Sequence, residues 1–173
     1  AMLGDEGHDS LYGEVGNGSL LGGEGSDYLS GGDGDDRFDG GGGNDHLTGG
    51  AGSNTYVFGR GSGQDRIDNG DWQDYYYGQQ DRLDVVELTG LNPADVWFMR
   101  SGNDLIVGIK DSQDTLNVAY YFSQDGLDPW HYAVDQFRFA DGSTLGLAEI
   151  KARVSAAGGD NHDNIYGYQT ADS

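Results

Sequence analysis

The sequence lacks several features that hold small domains together or anchor them in membranes. It contains no cysteine and only two prolines among its 173 residues. Disulfide bridges and thiolate metal sites are therefore excluded. No apolar run approaches the roughly 18 residues that a membrane-spanning helix needs, so we expect no helical membrane span.

Basic residues are also scarce. Lysine and arginine together number 9 against 30 aspartates and glutamates, which gives a formal net charge of −21 at pH 7. A compact chain with this charge repels itself unless cations neutralise it. Because nucleic acids and anionic membrane surfaces attract basic residues, we expect neither as a partner. Disorder is one interpretation of an acidic, glycine-rich chain, but an aromatic content of 12% favours a folded one.

Glycine, by contrast, is abundant, with 32 residues, and it recurs at a fixed spacing. A nine-residue period with the consensus Gly-Gly-x-Gly-x-Asp-x-U-x, where U is apolar, repeats six times in succession. The units are 4–12, 13–21, 22–30, 31–39, 40–48 and 49–57. This pattern is the signature of calcium-binding parallel β-helix repeats, and six in-phase copies indicate a repeat architecture.

Each unit combines a turn with a short strand. The glycines permit positive φ angles and let backbone carbonyls converge on one point. The aspartate adds a carboxylate oxygen, and calcium takes about six to eight oxygen ligands. In the strand, the middle side chain faces inward, and the expected inward residues are Leu11, Leu20, Leu29, Phe38, Leu47 and Tyr56. This core is too thin to offset the entropy of ordering so many glycines, so we expect calcium binding and folding to be one event.

Two units make one coil, so turns 18 residues apart stack on the same side of the roll. One side, called here the odd side, carries Asp9, Asp27, Asp45 and, after a two-residue insertion, Asp65. The other, called the even side, carries Gly18, Asp36 and Asn54. We therefore expect three calcium ions between the successive odd turns, and one or two more weakly held ions on the even side.

The predicted metal ligands are the aspartate, or its replacement, in each turn together with glycines whose carbonyls converge there. In the main repeat they are Gly7, Asp9, Gly25, Asp27, Gly34, Asp36, Gly43, Asp45, Gly52, Asn54, Gly63 and Asp65. A later copy of the repeat at 158–166 adds Asp163. The alternative is that these aspartates only shape turns, as such residues often do. Simple turns, however, do not require the same register six times.

After residue 67 the repeat gives way to ordinary strand patterns. Strands are predicted at 82–88, 95–100, 104–110, 115–122 and 133–139, followed by a short helix at 147–154. The predicted interior of this part consists of Leu83, Val85, Trp97, Leu105, Val107, Leu116, Val118, Phe137 and Phe139. The predicted fold is therefore all-β. It comprises a parallel β-roll at 4–67, a β-rich capping domain with a short C-terminal helix at 68–157, and the start of a further repeat block at 158–173.

The nonapeptides resemble those of the RTX proteins of Gram-negative bacteria. Segments 54–67, 102–106, 114–116 and 139–142 are similar to the hemolysin-type calcium-binding-related domain. The order of the blocks resembles the C-terminal repeats of adenylate cyclase toxins and hemolysins, and the resemblance covers residues 4–150. It implies secretion by a type I machinery, with calcium-triggered folding outside the cell. The chain departs from the family pattern at Gly18, at Asn54 and in the tyrosine-rich stretch 70–80.

No catalytic motif accompanies the repeat. The sequence contains no Gly-x-Ser-x-Gly elbow, no His-Glu-x-x-His helix and no phosphate loop, so we do not expect an enzyme. The leading hypothesis is a calcium-binding module of a secreted protein. The alternative is a calcium-dependent adhesin or polysaccharide-binding module, which would hold a carbohydrate or peptide ligand on aromatic loops at 71–77, 120–122 and 128–132. Exposure of Trp72, Tyr76 and Trp130 on one face would favour this alternative.

Overall fold

The computed structural model describes residues 1–70, 82–123, 132–156 and 164–165. Eight strands cover the repeat: β1 (Met2–Gly7), β2 (Ser10–Tyr12), β3 (Ser19–Gly25), β4 (Tyr28–Asp33), β5 (Arg37–Gly43), β6 (His46–Ala51), β7 (Thr55–Gly59) and β8 (Gln64–Asp68). The rest of the described chain forms β9 (Val85–Thr89), a 3-10 helix (Pro93–Asp95), β10 (Val96–Ser101), β11 (Asp104–Ile109), β12 (Thr115–Val118), β13 (Gln136–Phe139), β14 (Thr144–Gly146), helix α1 (Leu147–Ala156) and β15 (Asn164–Ile165).

The first eight strands form a parallel β-roll, which confirms the predicted fold class. Strands β1, β3, β5 and β7 pair in one sheet, and β2, β4, β6 and β8 pair in a second. Paired residues are 18 positions apart, as in the pair Leu29 and Leu47. The last pair of strands aligns His46 with Arg66, so the two-residue insertion before Asp65 is absorbed without loss of register. Odd-side turns lead from the first sheet to the second, and even-side turns lead back.

The interior of the roll is one column of side chains from each sheet. The six inward residues from the second coil onward are at most 1% exposed, and they are Leu20, Leu29, Phe38, Leu47, Tyr56 and Ile67. Leu11, in the first coil, is only half-buried. The rings of Phe38 and Tyr56 stack with centroids 5.1 Å apart. The predicted inward positions are thus confirmed, and the core is as thin as the sequence indicates.

The first coil carries acidic residues at two positions where later coils carry glycine. Asp5 and Glu14 have φ angles of 91° and 66°. A Cβ atom at Gly23, the next residue in the stack, would overlap the carbonyl oxygen of Asp5. A Cβ at Gly32 would overlap that of Glu14 in the same way. Glycine is therefore required at these positions because a preceding coil lies against them.

Both sheets of the roll continue beyond the repeat. In the first sheet, β9 pairs in parallel with β7 and β13 pairs in parallel with β9. In the second, β12 pairs in parallel with β8 and begins an antiparallel arrangement with β11 and β10. These strands cover the end of the last coil, so Tyr56, Phe58 and Ile67 are completely buried. A change from repeat to non-repeat sequence at residue 68 therefore does not interrupt the hydrogen-bonded sheets.

For two residues of the capping domain, the predicted interior position is wrong. Leu83 is 47% exposed, because the inward residue of β9 is Val86, which aligns with Tyr56 of the roll. Leu83 lies before β9, which begins at Val85, so the predicted alternation does not extend to it. Trp97 is half-buried rather than interior. Its indole lies so close to Gly108 on the neighbouring strand that a Cβ at that glycine would overlap the ring.

The remaining predicted interior residues of the cap are buried. They are Val85, Leu105, Val107, Leu116, Val118, Phe137 and Phe139. The strand predicted at 115–122 ends at Val118, since a turn begins there. Helix α1 buries Ile150 and Val154. Among the described residues, no helix is long and apolar enough to span a membrane.

Of the predicted repeat block at 158–173, only strand β15 lies within the described residues. This strand pairs antiparallel with β10, joining Ile165 to Phe98 and Asn164 to Met99. It therefore forms an edge of the second sheet.

Candidate metal centre

The odd-side aspartates form a continuous ladder through the roll. The backbone N–H of Asp9 donates to Oδ1 of Asp27 at 2.8 Å. The same bond joins Asp27 to Asp45 at 2.9 Å and Asp45 to Asp65 at 3.0 Å. One oxygen of each carboxylate thus holds the preceding coil in place. This arrangement follows from the 18-residue stacking of identical turns.

The second carboxylate oxygen has no comparable partner in three of the odd-side aspartates and in one even-side aspartate. The Oδ2 atoms of Asp9, Asp27, Asp36 and Asp45 are buried and accept no hydrogen bond. A buried acceptor without a partner costs about 1–3 kcal/mol, and more if it is charged. Such an oxygen requires a proton, a donor or a cation. Four of them at the same position of the repeat indicate a shared ligand rather than an accident of one turn.

Glycines provide the space in which these oxygens lie. A Cβ at Gly40 would overlap Oδ2 of Asp45. In the same way, a Cβ at Gly22 would overlap Oδ2 of Asp27, and one at Gly31 would overlap Oδ2 of Asp36. The first glycine of the unit is therefore needed to make room for the carboxylate.

The third glycine of each unit allows the turns to stack backbone against backbone. The predicted ligand glycines on the odd side are Gly7, Gly25, Gly43 and Gly63, and those on the even side are Gly34 and Gly52; all six have positive φ angles. A Cβ at Gly43 would overlap the carbonyl oxygen of Gly25 in the coil before it. Backbone carbonyls of one turn thus lie directly against the backbone of the next turn in the same stack. Carbonyl and carboxylate oxygens together are the ligand set that calcium prefers.

The electrostatics of the ladder also favour a cation. Burial, together with the negative charges of Asp45 and Asp114, raises the pKa of Asp65 to about 8. Burial and the charge of Asp27 raise the pKa of Asp45 to about 6. Burial likewise raises the pKa of Asp36. A divalent cation beside these carboxylates would reverse the effect, because an adjacent positive charge stabilises the ionised form.

The even-side turns form the same ladder of backbone N–H to side-chain oxygen bonds, and this ladder extends beyond the repeat. Gly18 N–H donates to Oδ1 of Asp36 at 2.6 Å, and Asp36 N–H donates to Oδ1 of Asn54 at 3.1 Å. The ladder then leaves the repeat, since Asn54 N–H donates to Asp84 at 2.8 Å and Asp84 N–H donates to Asp135 at 2.7 Å.

Sequence reasoning missed Asp84 and Asp135. The signal that identifies them is the strand half of the repeat, Asp-x-U-x-U, which persists without the glycine turn. Asp84 precedes Val86 and Leu88, and Asp135 precedes Phe137 and Phe139.

The candidate sites contain few charged ligands each. No three His, Cys, Asp or Glu side chains converge as a metal-binding group anywhere in 1–70, 82–123, 132–156 or 164–165. An ion between two turns would instead have one carboxylate from each turn and backbone carbonyls for its other ligands. Asp9, Asp27 and Asp45 on the odd side, and Asp36 on the even side, fit this requirement through Oδ2 atoms that accept no hydrogen bond. The predicted ligand Asp163 lies outside the described residues.

Comparison with known families adds two matches. The model described as RTX calcium-binding nonapeptide repeat (4 copies) matches residues 2–20, 21–56 and 30–67. The model described as haemolysin-type calcium binding protein related domain matches residues 104–149. The first covers the roll with its aspartate ladders, and the second covers strands β11 to β14 and the start of helix α1.

Proposed function

Because the chain belongs to the RTX hemolysin-type calcium-binding repeat family, we propose that it is a module of a type I-secreted bacterial protein that folds when it binds calcium outside the cell. The match to this repeat family supports calcium binding. Secretion through a type I machinery, an extracellular location and the coupling of folding to the ion are parts of the proposal.

One observation carries the proposal. Four aspartates bury an Oδ2 atom that accepts no hydrogen bond, at the repeat position where calcium-binding turns carry their carboxylate. Calcium would be held by these carboxylates together with turn carbonyls, and it would supply the positive charge that a chain of net charge −21 needs in order to become compact. The ion would therefore contribute directly to the free energy of folding.

Coupling of folding to calcium binding would suit a secreted chain, because the ion is far more abundant outside the cell than inside it. Sites built largely from neutral carbonyls bind calcium in the range of about 10⁻⁴–10⁻³ M, which is typical of extracellular modules. A chain with such sites stays unfolded where calcium is scarce and folds where calcium is abundant. The proposal assigns no catalytic role to the chain.

The alternative of an adhesin or polysaccharide-binding module depends on aromatic loops. Trp72, Tyr76 and Trp130 lie outside the described residues. Within them, Tyr120 is 44% exposed and its ring lies 4.8 Å from that of Tyr132. One such tilted pair is not a binding platform, so we keep the calcium-dependent folding module as the proposed function.

A calcium titration followed by far-ultraviolet circular dichroism tests the proposal. We expect little β signal in excess chelator, a cooperative rise as calcium is added, and a poor response to magnesium, which demands a stricter octahedral site. Isothermal titration calorimetry on the same samples gives the number of ions bound. A fully folded spectrum in chelator, unchanged by calcium, would contradict the proposal.

A further inference from the structure

The even side and the capping strands meet at a buried polar cluster, defined here as the seam cluster: Asn54, Tyr56, Asn69, Arg82 and Asp84. The side chains of all five are at most 2% exposed. Building on the proposed function, we propose that the seam cluster takes the place of calcium. In it, N–H groups of the protein occupy the positions that an ion fills in the other turns. The Asn54 turn then binds no calcium.

The orientation of the Asn54 amide supports this assignment. Its Oδ1 accepts the backbone N–H of Asp36, which can only donate, so the other atom of the amide must be Nδ2. That Nδ2 donates to the carbonyl oxygens of Gly50 and Gly52 at 3.3 and 3.4 Å. Both carbonyls belong to the turn of Asn54 itself. The amide therefore satisfies oxygens that would otherwise be available to an ion.

The position of this Nδ2 matches that of the free carboxylate oxygens. A Cβ at Gly49 would meet Nδ2 of Asn54 at 2.9 Å. At the equivalent glycines of the two preceding units, Gly31 and Gly40, the atom in that place is Oδ2 of the aspartate. Where the other turns have an acceptor that needs a cation, the Asn54 turn has a donor.

The next residue of the even ladder is satisfied by side chains of the protein. Oδ1 of Asp84 accepts the N–H of Asn54, and its Oδ2 accepts Nδ2 of Asn69 at 2.8 Å. Oδ1 of Asn69 lies 2.6 Å from the hydroxyl of Tyr56, which donates to it. Each oxygen of the Asp84 carboxylate therefore has a donor, in contrast to Asp27 or Asp45.

A positive charge completes the replacement. The guanidinium Nε of Arg82 lies 3.7 Å from Oδ2 of Asp84, and both side chains are buried. Arginine thus provides beside Asp84 the charge that calcium would provide beside Asp45. Because these donors are covalent parts of the chain, the contact between the last even turn and β9 does not depend on the calcium concentration.

The variant Asn54→Asp tests directly whether the Asn54 amide takes the place of a calcium ion. Asn54→Asp restores a free carboxylate oxygen beside the Gly50 and Gly52 carbonyls, so we expect one more calcium ion per chain than in the parent protein. Ions per chain are counted after equilibrium dialysis against saturating calcium, by elemental analysis. The matched control is Asp45→Asn on the odd side of the same coil. This control should lose at least one ion.

A second variant keeps the proposal testable if Asn54→Asp does not fold. Asn69→Leu removes the donor to Asp84 without adding charge, and residue 69 lies outside every repeat unit. We expect an unchanged number of bound ions and a rise of about twofold in the calcium midpoint of folding, because a buried carboxylate oxygen loses its partner. Asn103→Leu, at an exposed turn, is the control and should leave the midpoint unchanged.

The outcomes separate this proposal from the proposed function. A parent protein that folds without calcium and binds none would overturn the proposed function. A parent that folds with calcium while Asn54→Asp binds the same number of ions would overturn only the inference about the seam cluster. Loss of a bound ion in Asn69→Leu would do the same, because it would mean that calcium occupies the seam.

Discussion

The odd and even sides of the roll share one backbone hydrogen-bond pattern but differ in what meets the second oxygen of each carboxylate. On the odd side, Asp9, Asp27 and Asp45 bury an Oδ2 with no hydrogen-bond partner. On the even side, Asp36 buries such an Oδ2 as well, but the next two positions of the ladder do not. Asn54 has an amide there, and Asp84 accepts a donor at each carboxylate oxygen. We therefore expect the stacking of coils and the binding of ions to be separable. Hydrogen bonds to Oδ1 hold the register, and by our proposal the partner of Oδ2 determines whether a turn needs an ion.

The largest expected effect comes from removing a central aspartate on the odd side. Asp27→Ala should raise the calcium midpoint of folding by about threefold or more, because Asp27 lies between two expected ion positions and its Oδ1 also accepts the N–H of Asp9. Asp36→Ala should raise it by less than about twofold, because its neighbours in the stack, Gly18 and Asn54, carry no carboxylate. Circular dichroism during calcium titration measures both. Equal shifts, or a larger shift for Asp36→Ala, would remove the distinction between the sides.

Acidity should act through buried carboxylates, among them Asp45 and Asp65 on the odd side. Asp45 and Asp65 have pKa values of about 6 and 8 in the metal-free roll, against about 3.9 in an unfolded chain. The folded form therefore holds protons that the unfolded chain has lost. This stabilisation is complete below about pH 4 and disappears as the pH rises through 6 and 8. In chelator, the β signal should therefore increase as the pH falls from 8 to 5.

The matched variant for this pH effect is Asp65→Asn, which resembles the protonated carboxyl at every pH. It should show more β signal than the parent at pH 8 in chelator, and a flatter dependence between pH 6 and 8. Exposed carboxylates titrate near pH 4 and do not change in this window. A β signal that falls on acidification, or an identical profile for Asp65→Asn, would show that the buried odd-side carboxylates do not control the metal-free state.

The smallest effect is expected where the even ladder ends in the cap. Asp135→Ala removes the acceptor of the Asp84 N–H and should cost about 1–2 kcal/mol of unfolding free energy in saturating calcium. Denaturant unfolding measures this cost. Glu149→Ala is the control, because its carboxylate accepts one N–H, from Gly146, at an exposed position. A lost calcium ion in Asp135→Ala would mean that the even side binds metal beyond Asn54.

The periodic part of the site could be predicted from the sequence because stacking repeats one geometry. The 18-residue spacing identifies Asp9, Asp27 and Asp45 as neighbours, and the turn-like segment around Asp65 identifies the fourth. The even ladder beyond Asn54 could not be found in this way. Its steps span 30 residues to Asp84 and a further 51 to Asp135. Intervening loops conceal the period, and only the short Asp-x-U-x-U pattern remains.

The cap was predicted less accurately for a related reason. Its strands follow the inward column of the roll, so Val86 is inward because it continues the position of Tyr56. Local alternation alone placed Leu83 in the interior, where it does not lie. Likewise the indole of Trp97 packs across Gly108 on an adjacent strand, a contact that depends on pairing between strands. Long-range register, which the nonapeptide makes visible in the roll, is not visible in the cap.

The acidic residues of the first coil show how stacking determines which positions of a coil can carry a side chain. Gly23 cannot accept a side chain because the carbonyl of Asp5 lies against it, and Gly32 is limited in the same way by Glu14. The restriction on each coil is therefore imposed by the coil before it. Asp5 and Glu14 themselves adopt positive φ with a Cβ attached. A coil stacked on them with the same spacing would place its carbonyl oxygens against those Cβ atoms. A coil packed against this face would therefore have to depart from the spacing that the other coils share.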